Sequence, residues 1–331
     1  MMPTTLRHEA QRAQYTLRAS FFYRQYARWQ ELLKAAEEAS SVALSWTDRR
    51  SLGISDEAWG KITNAGIAPA QIFCHPELMI QRPTIVAYYR ILALLPQKGV
   101  QKLASSTAAL EEGRSTRLSR ARAKKIAYVL KSLISLQIES DPNWTLDKSR
   151  IAGLLNLGTQ VNGLWRNAIG AEGTYRVKEL LVSSFIQLGA VNVFVTHGGV
   201  RVPSDQGPPP VSDLRAVITA SDYQVIFGSE PDISIRDPQG ILHATIEVKY
   251  GLDEAGALER YGAAKKSFER AARENPRVTN IYLAACITPE VKRRIDADRL
   301  VNKVFDLTEI LGDSNKRAEF LEYLQWLMQS R

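Results

Sequence analysis

The stretch from Glu230 to Gly251, EPDISIRDPQGILHATIEVKYG, sets two short alternating runs on either side of a Pro-Gln-Gly turn. Alternation broken by such a turn predicts a β-hairpin. Side chains of a strand point to opposite faces in turn. Leu242, Ala244, Ile246 and Val248 therefore share one face, and His243, Thr245, Glu247 and Lys249 share the other. The second strand thus carries a carboxylate and an ammonium side by side opposite its apolar face, and Asp232 opens its partner.

The surroundings of the hairpin fit an α/β sheet. An apolar helix over 175–188 leads to the strand AVNVFVTHG and a loop with three consecutive prolines, RVPSDQGPPPVSD. After YQVIFG and the hairpin come a helix near 255–273, the strand VTNIYLAACI, a helix from Pro289, the strand NKVFDL and a last helix, KRAEFLEYLQWLMQ. Strands alternating with helices imply a mixed sheet with covered faces. The chain before this is helical in pattern. A long helix covers 6–39, with aromatics Tyr15, Phe22, Tyr26 and Trp29 at helical spacing that favours a core role, and Arg12, Arg18, Arg24 and Arg28 interleaved. Further helices are expected at 83–95 and 115–138. The polar break ESDPNWT separates a helical region, 1–140, from a catalytic domain, 141–331, and LDKSRIAGLLNLGTQVNGLWRNAIG reads as two helices joined by a turn.

Charge is unevenly spread. Residues 1–150 hold 22 Lys and Arg against 13 Asp and Glu, a net of +9, while the remainder is −1. Such asymmetry points to a polyanion partner, with solubility as the plainer alternative. Arg117, Arg120, Lys124 and Lys131 follow a 3-4-7 spacing on the 115–138 helix and form the expected phosphate-binding stripe, flanked by Arg122 and Lys125. The start of the chain lacks the apolar core of a signal peptide, and no apolar run has the length of a membrane span. Cys74 and Cys286 are far apart, in apolar surroundings and without zinc-type spacing, which fits free thiols in a reducing cytoplasm.

Hydrolysis of a phosphodiester needs a nucleophilic water and stabilised charge, and a divalent metal supplies much of both. Magnesium takes hard oxygen ligands, often one or two carboxylates. Asp232 and Glu247, on neighbouring strands, are such a pair. The Val248 carbonyl is a possible third ligand, and Lys249, on the same face as Glu247, is placed to orient the attacking water. The plainer alternative is a surface salt bridge between Glu247 and Lys249 with Asp232 as a turn cap.

Pro231-Asp232, then fifteen residues on to Glu247, then Glu247-Val248-Lys249, resembles the motif of the PD-(D/E)xK nuclease superfamily. The resemblance implies a restriction-endonuclease-like core with an all-helical N-terminal region, Mg2+ as cofactor, and a further acid on the preceding helix, a role that Glu179 matches better than Glu172. The segments HPELMIQRPTIVAYYRILALLPQKG, GTYRVKELLVSSF and EVKYGLDEAGALERYGAAKKSFE resemble type II restriction endonucleases of the XcyI/XmaI group. This implies a homodimer that cuts double-stranded DNA at a palindrome, CCCGGG in that group, alongside a cognate DNA methyltransferase. A related group with similar helical signatures reads GTCGAC.

Guanine-rich sites favour bidentate arginine. Arg201 and Arg215 beside the proline loop, and Arg260 and Lys265 after the catalytic strand, are the candidates for base contacts. Two rival readings stay open: a structure-specific repair or recombination nuclease with the same core, and a non-catalytic DNA-binding protein.

Overall fold

The computed structural model describes residues 4–329. Two compact units emerge, one from Arg18 to Leu164, the other combining the residues up to Leu17 with those from Trp165 onward. The turn at 141–145, the sequence's expected boundary, separates the helices α7 (Arg120–Ser140) and α8 (Leu146–Gln187).

The unit from Arg18 to Leu164 is helical. It contains most of α1 (Thr4–Ala39), then α2 (Asp56–Asn64), α3 (Pro76–Gln81), α4 (Val86–Leu92), α5 (Gln97–Leu103), α6 (Ala108–Glu111), α7 and the first half of α8. Its core gathers Trp29, Phe73, Met79, Tyr88, Tyr89, Ile126, Leu130 and Ile134. Within it the Arg90 guanidinium donates to both Glu111 oxygens, at 2.8 and 2.9 Å, and Thr107 and Gln97 also donate to that carboxylate. Bidentate pairing with further donors is what makes two buried ions tolerable.

Several expectations change here. The 83–95 helix is a 3-10 turn followed by the shorter α4. The basic helix begins at Arg120 rather than 115, because Ser119 caps it by accepting from the Arg122 N–H, so Arg117 precedes the helix. Lys131 does not join the basic stripe. It is fully buried, its Nζ lies 5.0 Å from the Trp46 ring centroid, and burial pushes its pKa down to about 8. Among the aromatics of α1, Trp29 is in the core, but Tyr15 and Tyr26 are exposed.

The expected pair of helices after residue 146, and the separate helix at 175–188, are one continuous α8 of 42 residues. Two of its glycines serve close approach. At Gly153 a Cβ would meet Ile91 Cγ2 at 3.1 Å, and at Gly173 it would fall 2.2 Å from Tyr250 Cβ.

The other unit is a three-layer sandwich around an eight-stranded mixed sheet. The strands are β1 (Val191–Thr196), β2 (Arg201–Pro203), β3 (Leu214–Thr219), β4 (Gln224–Phe227), β5 (Ile233–Arg236), β6 (Leu242–Lys249), β7 (Thr279–Ala284) and β8 (Lys303–Asp306), in the order β2-β1-β3-β4-β5-β6-β7-β8. Pairing is antiparallel up to β6 and parallel from β6 through β8. The sequence reading missed β2 and β3. One face packs Ala244, Ile246 and Val248 against Val177, Leu181 and Phe185 of α8 and against Phe320 and Leu324 of α12 (Ser314–Leu327). The short α11 (Leu307–Gly312) precedes α12. The other face packs Tyr282 and Ala284 against Tyr261, Ala264 and Phe268 of α9 (Ala257–Glu274) and Val291 and Ile295 of α10 (Pro289–Ala297).

The glycines of α8 give a paired test. Gly173→Ala is expected to cost about 1–3 kcal/mol, since Tyr250 must move. Gly158→Ala, which meets nothing within 4 Å, is expected to stabilise by about 1 kcal/mol through helix propensity. Urea unfolding of both variants checks the two signs.

Candidate active site

The site lies where β5 begins and β6 ends. Asp232 immediately precedes β5, and the antiparallel register sets Ile233 opposite Ile246, so Asp232 falls beside the last turn of the pleat at 247–249. Its Oδ2 accepts from the Val248 N–H at 2.8 Å and from Lys249 Nζ at 3.3 Å. Lys249 Nζ also donates to Glu247 Oε2 at 2.5 Å. One ammonium thus bridges two carboxylates, and the three side chains that the hairpin pattern singled out converge. The N–H and C=O of one residue leave a strand on the same side. The Val248 carbonyl therefore faces the side on which Asp232 sits.

Alternation holds from Ala244 to Lys249 and fails at the start of the strand. Ile235 pairs with Ala244 but Arg236 with Leu242, a bulge that turns His243 over. His243, expected on the Glu247 face, instead bonds the Leu327 carbonyl at 2.8 Å and packs edge-on against Tyr223. Leu242 moves to the α9 side, with Ala271 and Val278.

Two residues that the sequence reading passed over reach this site. From α8, Thr174 Oγ1 stands 3.5 Å from Asp232 Oδ1 and 3.3 Å from the Gly170 carbonyl. From α9, the buried Ser267 approaches Glu247. Thr174 directly follows Gly173, whose missing side chain admits Tyr250, and nothing in the identity of either residue signalled this in the sequence. Glu179 is exposed on α8, and no contact brings it to Asp232 or Glu247. Glu172 pairs with Arg176 at 2.7 Å. Among the described residues no group of three or more His, Cys, Asp or Glu side chains is assembled to hold a metal.

The remaining basic candidates are dispersed. Arg117 and Lys124 are exposed, and Arg120 is paired with Glu77 at 2.5 Å. Arg201 is exposed on β2, and Arg215 is the extra residue of a bulge in β3 facing Val195 and Thr196. Arg260 is tied to Asp253 at 3.1 Å beside Gly251, and Lys265 to Asp298 at 2.8 Å.

Glu247 is 4% exposed, and its Oε1 is buried and accepts no hydrogen bond. Burial raises its pKa above the ordinary carboxylate value and the Asp232 charge adds to this, while Lys249 and the Ser267 hydroxyl oppose it. For Lys249 burial acts downward, but Asp232 and Glu247 together hold its pKa above the usual lysine value. An orphaned carboxylate oxygen beside a second carboxylate fits a hard divalent cation, for which two carboxylates suffice when water and phosphate oxygens complete the shell.

A carboxyl protonated more readily in the folded than in the unfolded chain lowers stability as pH rises from its unfolded to its raised folded pKa. In chelator, Glu247→Gln is therefore expected to melt above the wild type at pH 7, the difference closing as pH falls into the carboxylate range. A lower melting point for the variant at pH 7 would mean that pairing with Lys249 outweighs burial.

No curated protein sequence matches the chain. The family model described as XcyI restriction endonuclease matches residues 30–188, which takes in most of the helical unit and α8 and stops before β1. This agrees with the resemblance carried by the segments at 75–99 and 173–185. Over residues 30–188 the chain is similar to the XcyI restriction endonuclease family.

Proposed function

We propose that the protein is a type II restriction endonuclease of the PD-(D/E)xK kind, a magnesium-dependent enzyme that cuts both strands of a palindromic DNA site as a homodimer. The observation that carries this reading is the convergence of Asp232, Glu247 and Lys249 at the end of β6, with one Glu247 oxygen buried and unbonded. The family match supports DNA as the substrate. The site lies in the sheet unit, so the catalytic part is assigned to the C-terminal region and DNA embrace to the helices before it.

Asp232, Glu247 and the Val248 carbonyl are the groups that would hold Mg2+, which when bound lowers the pKa of a water and acts as a Lewis acid on the phosphate. The rest falls to the chain itself. The Val248 N–H fixes the Asp232 carboxylate in the plane of the sheet edge. Ser267 and α9 keep water from one side of Glu247. Lys249 and Asp232, 18% and 15% exposed at their side chains, have access to solvent and to a phosphodiester, whereas Glu247 is at 5%. The Lys249 ammonium orients the attacking water and offsets charge on the pentacovalent phosphate. Glu179, one turn beyond Tyr175 on α8, is retained as an auxiliary acid acting through water.

The arginines divide by role. Arg117 and Lys124 suit phosphate contacts, which orient without specifying sequence, and Arg120 would do so on leaving Glu77. Arg201 and Arg215 are the base-reading candidates for CCCGGG, whereas Arg260 and Lys265 would first have to leave Asp253 and Asp298.

Purified protein incubated with unmethylated plasmid is expected to give discrete fragments with magnesium and none with chelator, and sequencing of the ends tests CCCGGG directly. Asp232→Asn, Glu247→Gln and Lys249→Met are each expected to lower the cutting rate by about 10²–10³-fold or more while duplex binding persists. Full activity in any of the three would remove that residue from the mechanism. Cutting of branched DNA alone would replace restriction with a structure-specific nuclease.

A further inference from the structure

α1 contains a segment whose composition and exposure are unlike those of any core helix. Of the eleven residues 18–28, eight are exposed and none is buried, although the helix is continuous through them. The segment reads RASFFYRQYAR, and no Asp or Glu occurs between Glu9 and Glu31. Tyr23 is 76% exposed and Tyr26 48%. Spaced three apart, they share a face of the helix. Arg18 lies over the Phe22 ring at 5.1 Å and Arg24 over the Phe21 ring at 5.9 Å. These contacts hold the two guanidiniums against the helix without neutralising them. Arg28 donates to the Glu111 carbonyl at 2.5 Å.

A largely exposed helical segment of tyrosines and arginines without neighbouring carboxylates fits a partner that is anionic and has apolar surface. We infer that Arg18–Arg28 of α1 is a contact surface for the sugar-phosphate backbone of duplex DNA, with Arg18 and Arg24 on phosphates and Tyr23 and Tyr26 on phosphate oxygens and sugar. The inference rests on DNA being the substrate. Arg and Tyr side chains are regular donors to phosphate. Pre-ordering by the phenylalanine rings reduces the entropy lost when the guanidiniums engage. Arg18 and Arg24 lie six residues apart, about 9 Å along the helix axis, so they reach separate phosphates. A second copy of the chain is the poorer occupant. An antiparallel contact of α1 with its copy centred on Phe21 sets Arg18 against Arg24 twice, with no carboxylate in the segment to offset them. The basic helix α7 offers less. Arg120 is paired, Arg122 is tied to Ser105 at 2.9 Å, and Lys131 is in the core.

The test measures binding of the full chain to a labelled duplex by fluorescence anisotropy, in chelator, across about 50–200 mM salt. Each phosphate contact contributes about 0.9 to the slope of log affinity against log salt. Arg18→Ala with Arg24→Ala is expected to lower that slope by about 2 and the affinity by about tenfold, equally for any duplex sequence. Arg18→Lys with Arg24→Lys is expected to restore the slope. Melting temperatures confirm that all variants fold, since the side chains are exposed. Wild-type binding with an unchanged slope and affinity in the double alanine variant overturns the surface and leaves the nuclease reading intact. No salt-dependent binding by the wild type overturns both. Unchanged DNA binding with a loss of self-association in sedimentation would make the segment an interface between copies and also overturn the inference.

Discussion

Two carboxylates this close, one of them almost wholly buried, need a cation between them, and Lys249 is that cation. Its ammonium is 2.5 Å from Glu247 and 3.3 Å from Asp232. The chain can supply it only because β6 continues past its antiparallel partner. β5 ends its pairing at Ile233 opposite Ile246, while β7 pairs on the other side of β6 as far as Lys249. The last three residues of β6 are thus held by a parallel neighbour on one side and open to Asp232 on the other. The switch from antiparallel to parallel pairing is therefore what makes room for the cluster. Parallel pairing requires a crossover, and α9 is that crossover. It covers the same face and brings Ser267 over Glu247.

How far this could be read from residues alone depended on whether polarity and position carry the same information. From Ala244 to Lys249 they do, because one face of the strand is apolar and the other holds the charged groups. At Leu242 and His243 they do not. Leu242 is apolar on either side of the sheet, so nothing in its identity reveals the bulge that exchanges its face with that of His243. Lys131 misled for a related reason. Its charge reads as solvent-facing, yet its aliphatic stem packs like a core residue and its ammonium rests on Trp46. β2, three residues long, and β3 were hidden on either side of the proline loop, where the turn signals dominate. The reverse error occurred in α1, whose aromatics at helical spacing looked like a core stripe. Spacing can indicate which residues share a face but not whether anything in the chain covers it.

Glycine showed the same ambiguity in α8. Five glycines lie between 153 and 173, where two helices joined by a turn were expected, and one helix runs through all of them. Three meet nothing within 4 Å and weaken the helix, whereas Gly153 and Gly173 each admit a neighbour that a methyl group would exclude. The cost of glycine in a helix, about 1 kcal/mol each, is thus offset at the two positions by packing. Apolar burial on Val177, Leu181 and Phe185 then carries the second half of the helix against the sheet.

That close approach has a consequence for the site. Tyr250 directly follows Lys249, and Gly173 directly precedes Thr174. With no side chain at 173, α8 comes near enough to the end of β6 for the next residue to place its hydroxyl 3.5 Å from Asp232. The Tyr250 carbonyl is held on its other side by Gln14 at 2.7 Å, and its ring has Arg176 over it at 5.9 Å. The end of β6 is therefore braced by neighbours drawn from α1 and α8, and α8 is the one element that belongs both to the matched family segment and to the candidate site. A bulkier residue at 173 would displace Tyr250, and with it the backbone that carries Lys249, without touching any charged group. Disturbance of the cluster from that position would then be a matter of geometry alone, because its three charges would remain in place.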